Sequence, residues 1–227
     1  MNIKAIITDI EGTTSSIDFV YEILFPYAKK EIKNFVLLNA EEKNIKPILE
    51  EVRQVSSEVN ADLNRIIEIL NIWIDTDQKI TPLKSLQGHI WRHGYENGDF
   101  NGHVYDDVPS CLKSWHKLGI NLYVYSSGSV EAQKLLFKHS NKGDLTSFFK
   151  GYFDTKVGKK TEENSYKNII NNIGIDANEI LFLSDIEEEL CAAKSVGLKT
   201  MLLERNNKKL NSNHTIINSF DEVKLNW

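Results

Sequence analysis

Apolar and polar positions run along this chain in three textures. The first is brief. Residues 3–8 are short, apolar and isoleucine-rich, which predicts a buried strand, and the run stops at Asp9. The second texture runs from Phe19 to about Asn97. Here apolar residues recur at helical spacing, as in Ile45, Ile48, Leu49, Val52 and again in Ile66, Ile67, Ile69, Leu70, within a Glu/Lys-rich background. The spacing predicts helices near 19–38, 44–56, 60–75 and 81–95, with no strand signal among them. Pro26, Pro47 and Pro82 start or bend helices in this stretch, or mark turns between them.

After Gly102 strands and helices alternate. Residues 109–118 predict a helix closed by Gly119. "INLYVYSSGS" is a β-branched and aromatic strand running into Ser-Ser-Gly-Ser, with a helix following near 130–140. "YFDTKVGKK" predicts a short strand and loop, and 165–172 a helix closed by Gly174. "EILFLSDIEEEL" is a second strand ending in an acid, followed by a helix to Val196. "LKTMLLER" is the last clear strand, and "TIINSF" adds a candidate edge strand. One strand, a helical insert, then alternation predicts an α/β fold with a parallel sheet. The insert predicts a helical cap over the C-terminal strand ends, where open sheets bind ligands.

Composition narrows the partners. The 227 residues carry a net charge of −5, which argues against a general nucleic-acid binder. No apolar run approaches the ~20 residues of a membrane span. The N-terminus lacks the pattern of a secretory leader, and two cysteines make no disulfide framework, so a reduced cytoplasm is expected. Cys111 and Cys191 fall on predicted helices among apolar neighbours and read as small core residues.

Candidate chemistry collects at four strand ends. The first offers Asp9 and Glu11, the second Ser126 and Ser127, the "KVGKK" loop Lys159 and Lys160, and the fourth Asp185 with Glu187, Glu188 and Glu189 behind it. Each piece alone has an ordinary explanation. D-x-E-G suits a turn. Ser-Ser-Gly and Asp185 suit helix caps. A lone lysine suits the surface, and the run 187–189 suits a helix's first turn. Their joint occurrence, in chain order at four strand ends, is what points to a site. Carboxylates, hydroxyls with amides at a helix start, and a lysine together suit Mg²⁺ and a phosphate. His89 and His93 stand four apart on a predicted helix, but a second ligand set is missing, so packing is expected of them and of Trp91. His103 and His116 read as structural or exposed.

These segments resemble the motifs of the haloacid dehalogenase superfamily phosphatases. "DIEGTT" is similar to the first motif, "VYSSGS" to the second, Lys160 to the third and "FLSDIEEEL" to the fourth. The departure is Glu11, where most superfamily phosphatases carry Asp. The enolase-phosphatases of methionine salvage carry Glu there. "LQGHIWRHGYENGDFNGHVYDDVPSCLKSW" and "GYFDTKVGKKTEENSY" also resemble that family's own segments.

The resemblance implies a Rossmann-like core, residues 1–15 and 100–227, with an inserted all-helical cap, 16–99. It implies a monomer with one Mg²⁺ per subunit, bound by Asp9, Glu11 and Asp185. Ser126, Ser127 and Lys160 match substrate-binding positions, and Lys160 stands six before Tyr166 as the motif requires. Asp9, Glu11 and Lys160 are the implied catalytic residues. The implied reaction enolises 2,3-diketo-5-methylthiopentyl-1-phosphate and then removes its phosphate. The apolar methylthio tail needs a dry pocket, for which Tyr21, Phe25, Trp91 and Tyr95 are candidates.

Three alternatives stand against this reading. A capped phosphatase of the same superfamily acting on a small sugar phosphate or phosphoglycolate is disfavoured by Glu11 and "QGHIWRHGY". A signalling receiver carries its phospho-acceptor after a middle strand, whereas Asp9 follows the first. An inactive binding protein is disfavoured by the completeness of the constellation.

Overall fold

The computed structural model describes residues 2–206 and 211–226. The chain divides into two compact units: Met1–Ile17 with Asn101–Trp227, and Asp18–Phe100.

The first unit is built on a parallel sheet of β1 (Ala5–Thr8), β2 (Asn121–Tyr125), β3 (Phe149–Phe153), β4 (Ile180–Ser184), β5 (Lys199–Leu203) and β6 (Thr215–Ile217). The order is β3-β2-β1-β4-β5-β6. β1 is central, and all four of its residues are buried, as its lack of a polar face requires. The order reverses between β1 and β4, which makes the C-terminal edge of that pair a ligand crevice. Register brings the edge into line: Thr8 pairs with Val124 on one side and Leu183 on the other. The backbone N–H of Asp9 extends this pairing by donating to the Leu183 carbonyl at 2.9 Å. Residues just past these three strands therefore emerge level with one another.

Helices α5 (Val108–Lys117), α6 (Val130–Lys138), α7 (Glu163–Ile173) and α8 (Glu187–Ser195) belong to the same unit. Part of its core joins Ile7, Tyr125, Tyr166, Ile169, Phe182 and Leu190. Two details differ from the sequence reading. β3 begins at Phe149, ahead of the expected Tyr152, because it flanks the sheet and its pairing with β2 shifts between Leu122 and Tyr123. Cys191 is exposed on α8, whereas Cys111 is buried as expected, its thiol donating to Asp221 Oδ1 at 3.4 Å. Small apolar neighbours in sequence do not decide which side of a helix a residue occupies.

The second unit holds α1 (Phe25–Asn39), α2 (Lys46–Val55), α3 (Leu63–Asp75) and α4 (Thr81–Asn97). A π-helical segment, Phe19–Leu24, runs directly into α1. Pro47 and Pro82 sit in first turns, where a missing N–H breaks no helical bond, while Pro26 lies where the π-helical segment passes into α1. Asp62 caps α3 by accepting from the Arg65 N–H at 2.8 Å. α4 ends at Gly98, whose φ of 75° suits glycine. Ile32, Leu49, Ile66, Leu70 and Leu86 meet in the unit's own core.

Tyr95 is buried, its ring centroid 4.6 Å from that of Phe100 within this unit. Trp91 stacks on Phe25 at 6.3 Å and donates from Nε1 to the Leu24 carbonyl at 2.8 Å. Tyr21 meets Phe25 edge-on and remains exposed. His93 Nε2 lies 3.0 Å from Asn97 Nδ2. Among the described residues no helix is long and apolar enough to cross a membrane.

Burial predicts two contrasting substitutions in this unit. Leu70→Ala empties a fully buried position and should cost about 2–5 kcal/mol. Leu38→Ala, at an 82% exposed site, should stay within about 0.5 kcal/mol. Urea unfolding followed by far-UV circular dichroism measures both.

Candidate active site

Asp9 is buried to 3% exposure directly beyond β1. The chain then turns sharply: the N–H groups of Thr13, Thr14 and Ser15 all donate to the Ile10 carbonyl. Gly12 makes the turn possible with a φ of +76°. A Cβ there would lie 2.2 Å from Asp185 Oδ2, so only glycine lets Asp185 come so close to the turn. Arg205 holds the turn from outside. Its Nη2 and Nε donate to the Thr13 carbonyl at 2.7 and 3.1 Å, and its Nη1 pairs with Asp107 at 2.8 Å.

Lys160 lies at the centre of the cluster, only 6% exposed. Its Nζ is 2.6 Å from Asp9 Oδ1 and 2.7 Å from Glu189 Oε2. Asp9 Oδ1 has no aligned hydrogen-bond donor, so this short contact is an ion pair without hydrogen-bond geometry. Tyr166 donates to the Lys160 carbonyl at 2.6 Å, which explains the six-residue spacing: one turn of chain ahead of α7 anchors the lysine. Lys159, beside it, is exposed.

Ser126 is fully buried past β2. Its Oγ donates to Glu11 Oε2 at 3.1 Å and accepts from the Gly128 N–H at the same distance. Gln133 braces this loop by donating to the Gly128 and Phe153 carbonyls at 2.8 and 2.9 Å. Ser127 is exposed. The helix cap that is the ordinary alternative for this Ser-Ser-Gly stretch is made by Ser129, which accepts from the Ala132 N–H. Asp185 is not a cap either; the cap position of α8 is Ile186.

The cluster sets four carboxylates, Asp9, Glu11, Asp185 and Glu189, around one ammonium. Burial, then the Asp9 charge, pushes the Asp185 carboxyl up to about 7. The same two causes raise Glu11 and Glu189 above the ordinary carboxylate range. Glu11 keeps some exposure as a residue, but its carboxyl end is enclosed by protein, so burial governs it. Burial works against the Lys160 charge, yet the Asp9 and Glu189 carboxylates outweigh it and hold the ammonium above its usual range.

The surplus of negative groups fits a hard divalent cation. Asp185 Oδ1 is buried without a hydrogen-bond donor, and such an oxygen suits a metal, whereas Asp9 Oδ1 already faces the Lys160 ammonium. The three expected carboxylates do not converge as one tight set, because the Glu11 carboxylate is turned to Ser126. Sequence reasoning assigned Glu189 to a solvated helix turn together with Glu187 and Glu188. It is in fact buried, accepts from Ser184 Oγ at 2.8 Å and pairs with Lys160. Its place three residues into α8 was the available signal, since a helix turns a residue at that spacing back towards its start.

These shifts predict a pH dependence. Asp185 has a folded pKa of about 7 against an ordinary 3.8, so the metal-free folded state keeps a proton that the unfolded chain has lost. Stability from this group is greatest below about pH 4 and declines as pH rises towards 7. Asp185→Asn should flatten that decline in urea unfolding at pH 5 and 7 in the presence of a chelator. An unchanged slope would remove Asp185 from the account.

Residues 3–197 match the haloacid dehalogenase-like hydrolase family. The chain is 50% identical to Enolase-phosphatase E1 of Pseudomonas fluorescens (strain Pf0-1), covering 99% of this chain and 98% of that one. It is 51% identical to Enolase-phosphatase E1 of Serratia proteamaculans (strain 568), covering 98% and 97%. The crystal structure of the UTR4 protein of Saccharomyces cerevisiae superposes with a TM-score of 0.83 at 35% identity, covering 98% of this chain and all of that one. With half its residues shared along its whole length, this chain belongs to the enolase-phosphatase family of haloacid dehalogenase-like hydrolases.

Proposed function

We propose that the enzyme converts 2,3-diketo-5-methylthiopentyl-1-phosphate to its enediol phosphate and then to 1,2-dihydroxy-3-keto-5-methylthiopentene plus phosphate, in methionine salvage. The observation that carries this reading is a buried nucleophile paired with a buried ammonium, Asp9 with Lys160, next to a carboxyl held by Ser126. In it, residues 1–15 with 100–227 are the catalytic core and 16–99 the cap.

Asp9 attacks phosphorus in line. A bond forms from its carboxylate oxygen to phosphorus as the bond from phosphorus to the ester oxygen breaks. The departing oxygen takes the proton from Glu11, whose raised pKa suits it to carry one. Glu11, now a carboxylate, takes a proton from water. The hydroxide attacks the aspartyl phosphate, phosphate leaves and Asp9 is restored. Two anions must meet in this reaction, so charge compensation is the main catalytic need. Lys160 and the Ser126 hydroxyl supply part of it. Ser127 and the nearby amides lie at the start of α6, where a phosphate is favourably held.

One Mg²⁺ per subunit would supply the rest by drawing negative charge from the phosphoryl oxygens. Asp9 and Asp185 would hold it through their carboxylates. Glu11, whose carboxylate is engaged by Ser126, would be the third residue of that set.

Enolisation removes a proton from the carbon that bears the ester oxygen, beside a carbonyl. Lys160, between two carboxylates, is placed either to stabilise the enolate oxygen or to take the proton, the second role competing with a residue of the cap. The longer reach of Glu11, one methylene beyond Asp, lets the same acid–base group serve both steps. The reading also includes a monomeric, cytoplasmic enzyme.

With the diketo phosphate as substrate, Asp9→Asn should accumulate enediol phosphate, seen optically, with no phosphate release. Loss of enolisation as well would overturn the division of labour. Chelation of Mg²⁺ should abolish phosphate release and re-addition restore it. Gly12→Ala displaces Asp185 and should lower kcat/KM about 10²-fold, the usual cost of an ångström-scale misplacement.

A further inference from the structure

A second cluster of metal-ligating side chains lies outside this machinery. Glu187 and Cys191 stand four apart on α8, and therefore on one face of the helix. His214, two residues after Ser212 and one before β6, meets them from a different part of the chain. One donor atom from each of the three lies within 4.8 Å of the others, and among the described residues this is the one such set.

The geometry suits a particular kind of ion. Cys191 Sγ is 3.5 Å from His214 Nε2. A tetrahedral zinc, bonded at about 2.3 Å to sulfur and about 2.0 Å to nitrogen, holds those two atoms about 3.5 Å apart. The other ring nitrogen, His214 Nδ1, lies 2.7 Å from Thr200 Oγ1. That contact orients the imidazole and leaves Nε2 facing the thiol, the outer support that metal-binding histidines require. Cys191 is exposed, so an ion can arrive from solvent and water can complete the shell.

We propose that Glu187, Cys191 and His214 form a second metal site, with a sulfur–nitrogen–oxygen donor set that takes zinc in preference to magnesium. Softness separates it from the phosphate site. A thiolate and an imidazole favour a borderline ion, whereas the buried carboxylates favour a hard one. The bound ion would tie α8 to the chain entering β6. Because α8 also carries Glu189, the tie acts on an element that reaches Lys160.

Cobalt(II) reports such a site directly, because a bound thiolate gives a charge-transfer band and tetrahedral coordination gives intense visible bands. Full-length, chelator-treated protein is titrated with Co²⁺ in excess Mg²⁺, which keeps the oxygen site occupied. The expected result is both sets of bands, saturating at one Co²⁺ per chain and displaced by Zn²⁺. Cys191→Ser, at an exposed position, should lose the charge-transfer band while retaining its fold and Mg²⁺-dependent phosphate release. His214→Gln should weaken Co²⁺ binding at least tenfold. Zn²⁺ should raise the unfolding temperature of the parent protein and not of Cys191→Ser. Absence of the band in the parent, or its persistence in Cys191→Ser, overturns the proposal. Neither outcome bears on the phosphatase reading, which rests on Asp9 and Lys160.

Discussion

The ion pair between Lys160 and Asp9 is the contact on which the rest of the catalytic unit depends. A carboxylate buried to this extent is costly unless it is compensated, and a buried ammonium equally so. Each makes the other tolerable. Glu189 on the far side of Lys160 completes the arrangement, so the ammonium is gripped from β1 and from α8 at once. Removing the lysine would leave a nest of like charges, which explains why one basic residue is so firmly anchored by Tyr166.

Compensation is nevertheless incomplete. Four acids share one base, and three of them are pushed above their ordinary pKa. That imbalance is what makes the site useful. It disfavours a fully ionised metal-free cluster and so favours uptake of a divalent cation, whose charge reverses the sense of the shifts. It also separates roles. Glu11, enclosed by protein and raised above the ordinary carboxylate range, is suited to carry a proton, while Asp9 lies against the ammonium as the nucleophile.

The sheet makes this economical. Because β1 lies between β2 and β4 in register, residues over a hundred positions apart in the chain emerge side by side. Gly12 then admits Asp185, and Arg205 grips the Thr13 carbonyl, so the turn carrying Glu11 is constrained from both sides. Rigidity of this kind lets a few side chains preorganise charge before any substrate arrives.

Much of this was legible in the one-dimensional pattern. Period and strand length are local properties, so the apolar runs revealed β1, β2, β4 and β5 and the acids or hydroxyls at their ends. Chain order then implied a parallel sheet, and Asp9, Ser126 and Asp185 could be named at its strand ends. What packing alone decided was direction. Adjacent helical residues point about 100° apart, so Glu189 turns inward to Lys160 while Glu188 stays exposed, though all three acids of that run look alike in sequence. Lys159 and Lys160 were separable only through a family motif until Tyr166 was seen to hold the second. Arg205 gave no signal, because its target is a backbone carbonyl nearly two hundred residues away. Cys191 and His214 came together for the same reason: chemistry along a chain is local, but which side chains share a volume is fixed by long-range burial and strand register.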